Sequence, residues 1–318
     1  MLDVSTAVVI SAYTLERWAD LEAALRGLSK QLTPPTEVIL VIDNNHELST
    51  RARSIGREIL PRIIVEDFQG GLSAARNLGV ELSTSEVIAF LDDDAVPSPP
   101  WLSELVRPFA EDDSVMMTGG TIRPGWPAAG RPFWFPDEFL WVVGATYAGA
   151  HSRGDLRNPL GASMAVRRRA WEVAGGFATS IGLGADSVAG CEETDFAVRL
   201  KVAEENCRLI FCADSEVVHR VTVERRTFRY FLYRCRVEGR SKAFFVKRNG
   251  SVSLAPERVH AFGTIPRAAV KNCRAAARGD RGALARTGAL IVGLLTVVLS
   301  FGGEYLRLTL LGQIGSGQ

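Results

Sequence analysis

A chain of 318 residues, 47% hydrophobic and 23% charged, is globular, with room for one large α/β domain or two modest ones, and is not a disordered chain. The net charge of +1 conceals an asymmetry: residues 1–219 carry 19 Lys/Arg against 31 Asp/Glu, whereas residues 220–286 carry 17 against 4. Five cysteines (Cys191, Cys207, Cys212, Cys235, Cys273) form no CxxC pair and no His-rich spacing, which argues against zinc and a disulfide framework and for reduced, packed thiols.

Asp3 and Ser5 lead into an apolar run without a basic n-region, so no signal peptide is expected. Over the first 120 residues, β-rich runs at Ala7–Ala12, Glu37–Asp43, Ile63–Val65, Val87–Leu91 and Val115–Gly120 alternate with helical patterns near 17–31, 49–59, 73–82 and 100–110. That alternation predicts βαβ units and a largely parallel sheet. Ligands of such sheets bind at the carboxyl ends of the strands, which is where Asp43, Asp92 and the Tyr13-Thr14 turn fall.

Three carboxylates, Asp92-Asp93-Asp94, follow the apolar run Val87–Leu91 directly. Acids at the mouth of a buried strand suit a hard divalent cation; the alternative is a solvated turn that caps the next helix. Upstream, Gly71-Leu72-Ser73-Ala74-Ala75-Arg76-Asn77 is a glycine-led turn into a helix carrying a cation. About a hundred residues downstream lies a second acidic cluster, Cys191-Glu192-Glu193-Thr194-Asp195. One acidic site for a metal–diphosphate and another for a base suit a sugar-nucleotide-dependent transferase. Alternatives stand beside each residue: an Asx turn for Asp43, a surface helix cation for Arg76, and first-turn acids favourable to a helix dipole for Glu192, Glu193 and Asp195. Asp195 and Arg199 are also spaced as an i,i+4 pair.

Residues 121–160 are rich in Gly, Pro and aromatics. They read as an irregular excursion over the active-site face, with Phe133 and Phe135 as core and Trp134 or Trp141 as a stacking surface for a sugar. A strand is expected at 162–166, followed by Arg167-Arg168-Arg169, a solvated helix start or a phosphate-facing cation, and a helix stopped by Gly175-Gly176. A helix to about Glu205, β-like runs at Arg208–Phe211 and Val217–His219, and basic helices at 226–248 and 256–279 complete the pattern. From Thr287 to Gly303 there is no charge. A helix of that length reaches ~25 Å against a ~30 Å hydrocarbon core. It suits a short span, an embedded hairpin, an interfacial helix or a buried packing helix. A basic arm meets phosphate, in nucleic acid or at an anionic membrane, and the apolar continuation favours lipid.

In their order, Val8–Thr14, Val41-Ile42-Asp43, Gly71–Asn77, Phe90–Asp94, Trp101-Leu102, Gly175-Gly176-Phe177, Glu192–Asp195 with Arg199, and His219 resemble the family-2 glycosyltransferases of the GT-A fold. The resemblance covers about residues 7–220. It implies an α/β, Rossmann-like, mostly parallel sheet with flanking helices over 1–222. A basic helical segment (223–282) and a hydrophobic membrane-associated segment (283–318) would follow. It implies that Ala12, Tyr13, Asp43, Arg76, Asp92 and Asp93 line the nucleotide side, and that Asp94, Asp92 and His219 hold Mg²⁺ or Mn²⁺. Glu193, with Glu192 and Asp195 beside it, would supply the catalytic acids. Glu193 stands where the family usually has Asp, which leaves Glu192 or Glu193 as base.

The expected activity is an inverting transfer from a nucleotide sugar, UDP by resemblance, to a lipid-linked or membrane-bound acceptor. It is placed at the cytoplasmic face of an anionic membrane, without nucleic acid and compatibly with a homo-oligomer. The competitors are a non-catalytic sugar-nucleotide scaffold on the same fold and a metal-dependent phosphatase, whose acidic motif would follow the first strand.

Overall fold

The computed structural model describes residues 4–60, 62–149, 156–179, 192–249 and 255–315; Cys191, which opens the second acidic motif, lies outside them. Two compact units result. One comprises Met1–Gly125, Arg153–Gly184 and Glu192–Arg220, the other Trp126–Ser152, Ala185–Cys191 and Val221–Gln318.

The first unit is built on an eight-stranded sheet: β1 (Thr6–Ala12), β2 (Glu37–Asp43), β3 (Ile63–Phe68), β4 (Val87–Asp92), β5 (Ala95–Pro97), β6 (Val115–Gly125), β7 (Ser163–Arg167) and β8 (Arg208–Arg220). Strand order is β3-β2-β1-β4-β7-β6-β8-β5. The first half is parallel throughout, whereas β7 runs antiparallel to both β4 and β6, and β5 antiparallel to β8. The sheet is therefore mixed. Strands β1, β2 and β4 are near-continuous apolar runs because helices cover both faces. The helices are α1 (Trp18–Leu28), α2 (His46–Ile59), α3 (Leu72–Leu82), α4 (Trp101–Glu111), α5 (Arg168–Ala174) and α6 (Glu192–Ala203). One core cluster joins Val9, Ile39, Phe90, Met164, Phe177 and Phe196, with the Phe177 and Phe196 rings stacked at 4.7 Å.

Strand β8 is continuous where the sequence suggests two runs. Its register against β6 shifts between Gly120↔Cys212 and Thr121↔Glu216, so the polar Ala213-Asp214-Ser215 stretch is looped out as a bulge. Gly120 is required there, since a Cβ would lie 2.6 Å from the Ser215 carbonyl oxygen. The triple arginine is structural. Arg167 donates to the carbonyls of Phe109 and Val115, and Arg168 to those of Val80, Ser83 and Ser85 at the C-terminal end of α3. Arg169 pairs with Glu204.

In the second unit, residues 126–149 pack with α7 (Phe228–Asn249), α8 (Ala255–Val259), a π-helical turn (His260–Thr264), α9 (Ile265–Ala277) and α10 (Ala283–Gly315). Phe135 is fully buried, but Phe133 is 69% exposed and is not core. Trp134 is half-buried and packs on Phe135, Phe228 and Phe231. Trp141 leans on Phe139 at 5.6 Å. Helix α10 runs well beyond the uncharged stretch, because Glu304 is held by Arg240 of α7 and by Arg307 one turn on. Among the described residues no disulfide joins Cys207, Cys212, Cys235 or Cys273, and only the last of these four is exposed.

Candidate active site

The site assembles at the carboxyl ends of β1, β2 and β4. Ala12 closes β1 in the core, and Tyr13 beyond it is 57% exposed, its ring 5.5 Å from the Arg17 guanidinium. At the end of β2, the Asp43 carboxylate accepts hydrogen bonds from the backbone N–H of Gly70 (3.1 Å) and Gly71 (3.0 Å). It does not form the Asx turn with its own neighbours; Asn45 instead caps α2 by accepting from the Leu48 N–H. Gly71 sits at φ +79°, a conformation suited to glycine, and caps α3. Asp43 thereby fixes the turn that launches the helix carrying Arg76.

Arg76 is 3% exposed. Its Nη1 lies 2.9 Å from Oε1 of Glu193 and 3.7 Å from Oε1 of Glu192, and its Nη2 lies 3.6 Å from Oδ1 of Asp92. One buried guanidinium therefore joins the acidic end of β4 to the first turn of α6. Gly161 makes room for this: a Cβ there would approach Glu193 Oε1 to 2.2 Å and Arg76 Nη2 to 2.3 Å. Glu192 is almost wholly buried, and its Oε2 has no hydrogen-bond partner among the described residues. Burial, reinforced by the neighbouring Glu193 carboxylate, pushes the Glu192 carboxyl well above its usual range.

Asp93 and Asp94 are only 4% and 5% exposed, so this is no solvated turn. Arg17 neutralises part of their charge, with Nη1 3.0 Å from Asp93 and 3.4 Å from Asp94. Burial and the adjacent Asp94 still raise the Asp93 carboxyl to about 7. On β8, His219 pairs in register with Ala95 of β5, which brings its Nε2 to 3.0 Å from Oδ1 of Asp94. Ligand atoms of Asp92, Asp94 and His219 all lie within 4.8 Å of one another. Two carboxylate oxygens and an imidazole suit Mg²⁺ or Mn²⁺.

Residues 7–172 match the sequence profile of Glycosyl transferase family 2. The chain belongs to that family. It is 28% identical over 241 residues to the glucosyl-dolichyl phosphate glucuronosyltransferase of Haloferax volcanii, covering 75% of this chain and 76% of that one. It is also 30% identical over 192 residues to the succinoglycan biosynthesis protein ExoM of Rhizobium meliloti, 57% of each chain. Among solved structures, the mannosyltransferase PcManGT of Pyrobaculum calidifontis, in complex with GDP-Man and Mn²⁺, superposes with a TM-score of 0.60 at 18% identity, over 94% of this chain and 86% of that one. GalNAc-T7 with UDP, GalNAc and Mn²⁺ gives 0.55 at 16% identity, over 81% and 54%. These likenesses establish the GT-A fold.

In this family-2 chain, Asp195 is buried and ion-paired. Its Oδ2 lies 2.8 Å from Arg199 Nε, and Arg199 also donates to the carbonyls of Ala174 and Gly176. That pair ties α6 to the end of α5. Two site residues carry no sequence signal of their own. Arg17 follows β1 in an unremarkable Leu-Glu-Arg turn, and Gly161 is one of 30 glycines; the only hint is that Gly161 precedes a fully buried strand.

Proposed function

We propose that the protein is an inverting glycosyltransferase that moves a sugar from a nucleoside diphosphate sugar, UDP-linked in the first instance, to a lipid-linked acceptor at the cytoplasmic face of a membrane. The observation that carries this reading is the Arg76 bridge, which sets Asp92 beside Glu193 around one buried guanidinium. A donor's diphosphate and an acceptor's hydroxyl need those two functions side by side.

Glu193 is the base in this scheme: its side chain is 16% exposed against 5% for Glu192, so it is the one an acceptor can reach. Arg76 holds its Oε1, leaving Oε2 to take the hydroxyl proton while the acceptor oxygen attacks the anomeric carbon and the nucleoside diphosphate departs. Asp92, Asp94 and His219 would hold Mg²⁺ or Mn²⁺, which supplies Lewis-acid stabilisation of the departing diphosphate when bound. Asp43, Ala12 and Tyr13 line the nucleoside end of the same strand edge. The polyprenyl phosphate class of acceptor is supported by the glucuronosyltransferase relative and by the basic, apolar C-terminal unit.

The test is a panel of UDP- and GDP-sugars, assayed for donor hydrolysis and for transfer to a glycosylated polyprenyl phosphate, with Mn²⁺, Mg²⁺ or EDTA. Metal-dependent turnover of one donor is expected. A chain that binds donors without turning any of them over would reduce the reading to a binding protein.

A further inference from the structure

Helix α10 is long and apolar enough to cross a bilayer: its Ala283–Leu310 stretch of 28 residues reaches ~42 Å against a ~30 Å core. Its packing inside the second unit says otherwise. The α7 helix runs alongside it in the same direction. The Phe231 ring meets Gly293, Gly239 sits against the backbone of Val297 and Phe301, Arg240 pairs with Glu304, and Lys247 lies over the Tyr305 ring. A Cβ on Gly239 would come within 2.3 Å of the Val297 carbonyl oxygen, so the two helices are in backbone contact. A spanning α10 would carry Arg234, Arg236, Arg240, Lys242 and Lys247 into hydrocarbon with it, where cations are strongly disfavoured.

The face of α10 turned away from α7 is different. Leu284, Ile291, Leu295, Leu299, Leu306 and Leu310 are each at least half exposed. Spaced by four and seven, they form one stripe along the whole helix. Such a stripe is far larger than the scattered apolar residues of an ordinary surface. The neighbouring elements bring cations: α9, which packs on α10, exposes Arg267, Lys271, Arg274 and Arg278. The turn leading into α9 adds Phe262, 82% exposed. Phe133, whose carbonyl accepts from Arg286 in the first turn of α10, adds a second exposed ring.

We propose that α10 lies in the plane of an anionic lipid surface and does not cross it. The leucine stripe would be buried at the headgroup–acyl boundary, with α7 as its internal backing and the α9 cations on lipid phosphates. This monotopic arrangement joins a one-faced apolar surface to a basic border. It deepens the lipid-acceptor reading above and rests on it only for the choice of membrane; the geometry is that of the second unit alone.

The test uses the full chain with different epitope tags at its two termini. Flotation with phosphatidylcholine vesicles, with and without phosphatidylglycerol, is read beside protease accessibility of both tags on sealed membranes. Expected are flotation that depends on phosphatidylglycerol, both tags cleaved from the same side, and at least a tenfold loss of the lipid-bound fraction for Leu295→Glu combined with Leu299→Glu. Both positions are exposed, so unchanged circular dichroism and donor hydrolysis are expected of that variant. Removing α10 is a poorer test, because it uncovers Phe231 and Gly239 of α7. A C-terminal tag protected until detergent is added would overturn the proposal in favour of a span. Wild-type flotation of the double variant would also overturn it, as would a dimer without lipid affinity that the variant dissociates. Asp94→Ala should float like wild type, so failure of the catalytic reading is distinguishable from failure of this one.

Discussion

The Arg76 guanidinium and the Glu193 carboxylate meet 2.9 Å apart across 117 positions of sequence, directly over the bare α-carbon of Gly161. Gly161→Ala should therefore displace the pair without emptying any cavity. Transfer should fall by roughly 10-fold or more, since a misplacement near 1 Å costs up to about 10². The melting temperature should fall modestly, since such overpacking costs ~1–3 kcal/mol, less than removal of Arg76. Steady-state kinetics and a thermal melt on the same preparation check both halves.

Removing the cation itself is harsher. Arg76→Leu strands Asp92, Glu192 and Glu193 around an apolar side chain, and breaking a buried pair costs ~3–5 kcal/mol. Urea unfolding should show that loss, and Arg76→Lys should recover part of it, because a single ammonium cannot span all three carboxylates.

Asp94→Ala should abolish metal-dependent transfer with the fold intact, and His219→Asn should weaken Mn²⁺ binding less severely. Calorimetric Mn²⁺ titration of the two variants gives a readout independent of turnover. Undiminished activity of Asp94→Ala in excess EDTA would remove the metal assignment.

Glu193→Gln should keep donor binding and lose transfer by about 10² or more, the scale of a lost general base. Glu192→Gln should be milder. A reversal of the two effects would make Glu192 the base.

Stability should respond to pH through Glu192. Burial and the Glu193 charge raise its folded carboxyl above the unfolded value. The stability this group contributes is full below the unfolded value, about 4.3, and is lost as pH rises through the folded one. Glu192→Gln does not titrate, so its stability relative to wild type should increase between about pH 5 and about pH 8. Paired denaturant melts across that window measure the difference; a flat difference would mean that Glu192 ionises freely in the fold.

Much of this was legible in the residues. The run Glu37–Asp43 is a strand with those same bounds, because an apolar run buried on both faces leaves no other period to read. Asp92, Arg76 and Glu193 stood out because charged side chains beside buried runs demand partners. What the sequence concealed depends on distant contacts. Strand β5 has three residues and exists only because β8 pairs with it. Arg17 finds Asp93 across 76 positions, and Gly161 matters for an atom it lacks. The apolar tail looked too short because Glu304 and Arg307 interrupt it, yet they satisfy one another and Arg240, and the helix continues.

The order in which the site's charges are synthesised has its own consequence. Arg17 leaves the ribosome before Asp93 and Asp94, and Arg76 before Asp92, Glu192 and Glu193. Each acid of the site emerges into a nascent chain that already holds its counter-ion, so the amino-terminal strands can close during translation without stranding a carboxylate. The ion-binding trio must wait longest, because His219 is delivered more than a hundred residues after Asp94 and after Glu193 has reached Arg76. Cation uptake would then come late in the domain's folding, once Arg17 and Arg76 hold their carboxylates.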